Sequence, residues 1–81
     1  MNENLNEIVI HSTELHKQIK ELLKKNGMNF TMLKFTINEL FGKKDSVRNL
    51  HNKFKRKTIR VSELEEITET LNYEIILRKK S

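Results

Sequence analysis

Eighty-one residues with no cysteine, no proline and two glycines suit one small domain, which buries roughly 60% of the surface its unfolded chain exposes. The absence of cysteine excludes disulfide staples, thiolate nucleophiles and cysteine-based zinc sites, and no apolar run approaches the length of a membrane span or a signal h-region. The net charge is +5; the chain is expected in a reducing cytoplasm, off the membrane, and, with so thin a core, as a homodimer.

The placement of charge says more than its total. Residues 43–60 carry eight basic side chains (Lys43, Lys44, Arg48, Lys53, Lys55, Arg56, Lys57 and Arg60) against one acid, Asp45, a net of +7, while the rest of the chain nets −2. A segment so biased suits docking to a polyanion, although a solvated basic face produces the same count.

Taken in chain order, Glu7 to His11 is short and apolar enough to read as a strand. Ser12 to Asn26 then sets Leu15, Ile19, Leu22 and Leu23 on one face, with Lys17, Lys20, Glu21 and Lys24 elsewhere, the pattern of an amphipathic helix. Ser12 or Thr13 is its expected N-cap, Lys24 and Lys25 fall where the helix dipole favours cations, and Gly27 is its left-handed stop. Asn29 is the expected cap of a second helix, in which Leu33, Ile37 and Leu40 recur at helical spacing and Phe30 and Phe41 complete the buried face. Gly42 ends it, Lys43, Lys44 and Asp45 form a polar turn, and Ser46 caps a third helix running to Arg56. Only Leu50 and Phe54 in that helix clearly point to a core. After the basic connector Lys57 to Arg60, Ser62 and Glu65 match a capping box for a fourth helix. Leu64, Ile67 and Leu71 are its inward face, Glu63, Glu65, Glu66 and Glu69 its outward one, and Asn72 its end. Residues 73–78 are branched and aromatic, as in a strand, and lead into a basic tail ending at residue 81. That strand pairs either with the N-terminal one or across a dimer axis, and the sequence leaves both open. The expected fold is all-α, a bundle of four to five helices in one domain spanning 1–81, with the strand and tail at 73–81.

Several side chains invite sharper readings. Phe30, Phe35, Phe41 and Phe54 stand at helical spacing and read as core before they read as stacking platforms for single strands. His11, His16 and His51 are scattered, with no i, i+4 pair, so no metal site is expected, and His51 touches phosphate or is simply solvated. Ser12, Thr13, Ser46 and Ser62 sit where caps belong and lack a base in evident reach, and the carboxylates of the fourth helix have no pocket to shift them. No catalytic residue and no cofactor are expected.

Residues 29–56 thus give a helix, a turn containing glycine, and a helix poor in apolar residues but rich in Arg, Asn, His and Lys. This is the organisation of a helix-turn-helix unit, whose second helix presents its early residues to base edges in the major groove. The stretch SVRNLHNKFKR, followed by VSELEEITETLNYEI, resembles the recognition helix and next helix of the small Cro/repressor-like (XRE-type) helix-turn-helix proteins. The resemblance covers about residues 12–78 and implies a double-stranded DNA partner and a role in transcription regulation in a bacterium, phage or mobile element. It points to Val47, Arg48 and Asn52 as base contacts, with Asn49 and Lys55 beside them: Arg48 toward guanine, Asn52 toward adenine, Val47 toward a thymine methyl. Lys43, Lys44, Ser46, Lys53, Arg56 and Lys57, and the amides near Asn29, are the expected phosphate contacts. The family pattern is broken at Lys34, which follows Leu33 where a small residue is usual, and by about one extra turn before Gly42. This lengthened helix motivates the alternative, an interaction protein on the same scaffold, such as an antitoxin-like factor or an inhibitor of a nucleic-acid-binding protein.

Overall fold

The computed structural model describes residues 7–80; residues 1–6 and Ser81, the outer ends of the expected domain and basic tail, lie outside the described residues. Among the described residues the chain forms a 3-10 turn, Ser12–Glu14, and four α-helices: α1 Leu15–Lys25, α2 Phe30–Phe41, α3 Val47–Arg56 and α4 Val61–Thr70. The all-helical class matches the reading of the sequence.

Backbone signals fix most of the boundaries. The Asn29 side chain accepts from the Met32 amide at 2.8 Å and the Ser46 hydroxyl from the Asn49 amide at 3.1 Å, so α2 and α3 start on side-chain caps as expected. Gly27 and Gly42 close α1 and α2 in the left-handed region, at φ +68° and +64°. Two non-glycine residues adopt the same conformation, Lys57 after α3 (φ +58°) and Asn72 after α4 (φ +64°).

Two starts differ from expectation. Neither Ser12 nor Thr13 caps α1; the first turn tightens instead into the 3-10 turn, with the Glu14 amide donating to the His11 carbonyl at 2.9 Å. Helix α4 begins at Val61, ahead of the expected Ser62 box, because the Glu63 carboxylate reaches back to the Arg60 amide at 2.8 Å.

The core joins Ile19, Leu22 and Leu23 of α1, Phe30, Leu33 and Ile37 of α2, Leu50 and Phe54 of α3, and Ile67 and Leu71 at the α4 end. Burying each large side chain contributes about 1.5–3 kcal/mol. Helix α2 packs against the other three helices and α1 also meets α3, so α2 is the hub on which α3 is seated. In its final turn Leu40 is 63% exposed and Phe41 39% exposed, contrary to their expected burial. Phe35 is also outside, 67% exposed, because it lies on the face of α2 away from Leu33 and Ile37. Among the described residues the only buried polar side chain is Lys34, 7% exposed.

No strand forms among the described residues. Tyr73 to Arg78 runs without a ladder, and its expected partner at the N-terminus is held by α1 instead. Gln18 donates to the Val9 carbonyl at 2.7 Å and accepts from the His11 amide at 3.0 Å, so this side chain takes the backbone groups a ladder would use. An exposed ion pair, Arg78 to Glu7 at 2.8 Å, joins the two terminal segments of the described residues.

The left-handed caps give a clean test, since a Cβ added at Gly42 meets nothing within 4 Å and its cost is purely conformational. Gly42→Ala should lower stability by about 1 kcal/mol and Lys57→Gly should raise it by up to about 1 kcal/mol in urea denaturation. A neutral Gly42→Ala contradicts the left-handed stop.

Candidate nucleic-acid interface

Helix α3 divides its surface three ways. Leu50 and Phe54 are buried, and Val47 is half-buried against the same core. Arg48, Asn49, Asn52, Lys55 and Arg56 are exposed, and at spacings of one, four, seven and eight from Arg48 they share the opposite face, with Asn52 near its middle. Of the expected base contacts, then, Arg48, Asn49, Asn52 and Lys55 stand together on the outward face and Val47 does not.

The two flanks of α3 are occupied. On one, Lys53 pairs with Glu63 of α4, while Lys43 in the turn pairs with Glu66 at 2.5 Å. Glu63 and Glu66 therefore turn toward these lysines, where an outward acidic face was expected. Burial pushes the Glu63 carboxyl up, but the hydrogen bonds from Lys53 and the Arg60 amide, with the charges of both residues, outweigh it and hold it below its ordinary range. These pairs line a polar cleft of about 200 Å³ between α2, α3 and α4, together with Lys34 and Asp45. Two of the expected phosphate contacts, Lys43 and Lys53, are thus already matched by carboxylates. Lys44, Arg56 and Lys57 are exposed and make no ion pair among the described residues. Asn29 and Ser46 spend their side chains on the caps described above.

On the other flank, the structure brings together two histidines that sequence reading left scattered. His16 Nε2 and His51 Nδ1 are 3.0 Å apart. Their ring centres lie 5.2 Å apart, little less than that distance plus a ring radius at each end, so the nitrogens meet head-on at hydrogen-bond distance. His16 stacks on Phe54 at 5.0 Å with an interplanar angle of 2°, and Phe30 meets the His51 ring edge-on at 4.7 Å. This cluster ties α1, α2 and α3 together. Burial, followed by the charges of His51, Lys55 and Lys20, lowers the His16 pKa from its ordinary 6.5. The available signal was spacing: His16 precedes Ile19, and His51 precedes Phe54, by three residues.

The turn between α2 and α3 is organised by Asp45. Its Oδ1 accepts from the Asn49 Nδ2 at 2.7 Å and from the Ser46 amide at 3.2 Å, and its Oδ2 faces the buried Lys34 Nζ at 3.5 Å. Its carbonyl accepts from Asn38 Nδ2 at 2.9 Å, and its amide donates to Asn38 Oδ1 at 3.4 Å. The Asn49 hydrogen bond is the chief reason the Asp45 carboxyl lies below its ordinary range; burial opposes it, and Lys34 and the Ser46 amide assist. Lys34 thus spans from the core to the turn.

No protein-family model, curated protein or solved structure matches this chain. No helix among the described residues is long and apolar enough to cross a membrane.

Two outcomes follow from these contacts. Asp45→Ala leaves Lys34 buried without a partner and should cost about 2–3 kcal/mol; adding Lys34→Met should recover most of it, as a double-mutant cycle in urea will read. The lowered His16 pKa means the unfolded chain binds more protons. Its contribution is therefore complete above pH 6.5 and lost as pH falls through the lower folded value. The melting temperature should drop between pH 7 and 5.5 in the parent protein and drop less in His16→Phe.

Proposed function

We propose that this chain binds double-stranded DNA in a sequence-dependent way, laying the outward face of α3 in the major groove, and that it regulates transcription in the cytoplasm as a homodimer. The observation that carries this reading is the outward face itself. Arg48, Asn52, Lys55 and Arg56 are exposed and make no ion pair or side-chain hydrogen bond among the described residues, on a helix held by its neighbours along both flanks. Arginine and asparagine are the side chains suited to bidentate pairing with guanine and adenine. Lys44, Lys57 and Arg60 extend the positive surface beyond both ends of α3 and suit phosphates on either side of a groove. The helix, turn and helix of residues 29–56 agree with the resemblance to Cro/repressor-like proteins. The exposed run Ile75, Ile76 and Leu77 supports self-association, which would set two α3 helices about 34 Å apart on a two-fold site.

A protein partner is the second reading, favoured by the exposure of Met32 and Phe35, three residues apart on one face of α2, since large apolar side chains left in water mark contact surfaces when they cluster.

Fluorescence anisotropy against duplex pools separates the two. On the DNA reading, Arg48→Ala relaxes base preference, costing about 1–3 kcal/mol on the preferred site alone. Lys57→Ala weakens all duplexes alike and flattens the salt dependence by about one unit of log–log slope. Binding that is absent even in dilute salt, or equal responses to the two substitutions, rejects it.

A further inference from the structure

Asn49 is exposed at the start of α3, beside Arg48 on the outward face, yet its side chain is not free to turn. Its Nδ2 donates to Asp45 Oδ1 at 2.7 Å. An ionised carboxylate only accepts hydrogen bonds, so the amide must present its nitrogen to Asp45; rotation by half a turn would set Asn49 Oδ1 against a carboxylate oxygen. Asp45 is itself immobilised, by the Ser46 amide at 3.2 Å, by Lys34 Nζ at 3.5 Å, and through its backbone by both ends of the Asn38 amide. What remains to Asn49 is its carbonyl oxygen and one N–H.

The geometry points to Asn49 as a specificity-determining residue with a preset edge: buttressed by Asp45, it selects adenine, the base that offers an amino donor and an adjacent N7 acceptor in the major groove. The inference rests on the DNA-binding reading above and deepens it by naming the base. Cytosine has the amino donor but no N7, and so meets only half of the edge. Guanine and thymine turn only acceptors toward the groove; these can take the remaining N–H but leave the fixed Oδ1 facing an oxygen or nitrogen lone pair with no donor, so they too meet only half of the edge and add a repulsion. In most exposed asparagines the two amide orientations interconvert and such discrimination is diluted. Here the choice is made before DNA arrives, so no ordering cost is incurred on binding. Lys34 serves as a positioning residue, because it holds the carboxylate that holds the amide.

The test is selection of bound sequences from a random duplex pool by the full chain, followed by titration of matched duplexes differing at one base pair. The parent protein should select adenine at one position per half-site, by about tenfold or more over guanine or thymine. Asn49→Ala, on an exposed position, should make that position alone degenerate while the Arg48-dependent position persists. Asp45→Asn can face Asn49 with either a donor or an acceptor, and should admit guanine and thymine at the same position. If that variant melts, combining it with Lys34→Met, which removes the stranded charge, answers the same question. Guanine or thymine at the Asn49-dependent position overturns the inference, as does an Asn49→Ala profile equal to the parent or unchanged adenine selection in the folded Asp45 variant. A parent chain that binds no duplex at low salt instead rejects the underlying reading.

Discussion

The carboxylate of Asp45 joins α2 to α3, and the disposition of everything outward of the core follows from it. Both of its oxygens are engaged, by Lys34 on one side and by Ser46 and Asn49 on the other. An exposed ion pair would contribute little, but Lys34 is 7% exposed, and an ammonium so placed is costly without its partner. The lysine is therefore tolerated in the core only while the turn keeps its shape. Residues Gly42 to Ser46 are irregular backbone, and the Asn38 amide bonding to both the amide and the carbonyl of Asp45 replaces the regular structure they lack. A polar network thus does at this junction what apolar packing does elsewhere in the bundle.

With its start set by that network, α3 is steadied along both sides. Toward α1 the contact is aromatic, through His16, His51, Phe30 and Phe54; toward α4 it is ionic, through Lys53 and Glu63. These two contacts respond to different conditions. Salt screens the half-exposed ionic side, whereas acid protonates His16 against the cost of its burial. Together they set the rotation of the helix about its long axis. The outward row of Arg48, Asn52 and Lys55 depends on that rotation, since a turn of one residue's angle would bring Lys53 or His51 to the crest in place of Asn52.

Much of the fold was legible in the residues. Periodicity located all four helices, and the chemistry of Asn29, Ser46, Gly27 and Gly42 placed their ends, because caps and left-handed stops are local and carry their signal within a few positions. The misreadings came from distance. Phe41 and Leu40 have the spacing of core residues yet stand exposed, and how closely a neighbour covers a given turn is not written in either segment. Lys34 stood in the sequence only as a lysine where the resembled pattern has a small residue, until Asp45, eleven positions on, supplied its counter-charge. His16 and His51 are far apart in sequence, and only the crossing of α1 and α3 makes them one group. Glu63 and Glu66 read as solvent-facing for the same reason: their lysines belong to other elements. The outward set on α3 was the most legible part of the candidate site, since a helix with a narrow apolar stripe must present the remainder.

The C-terminal run has a bearing on how the protein behaves in concentrated solution. Ile75, Ile76 and Leu77 are exposed on backbone that no ladder occupies, which is the kind of edge that recruits further chains and seeds aggregates. Arg78, Lys79 and Lys80 follow at once and act as gatekeepers, because stacking copies in register would bring like charges together. Trimming or neutralising these three cations would therefore turn a discouraged edge into an adhesive one while leaving the helical core untouched.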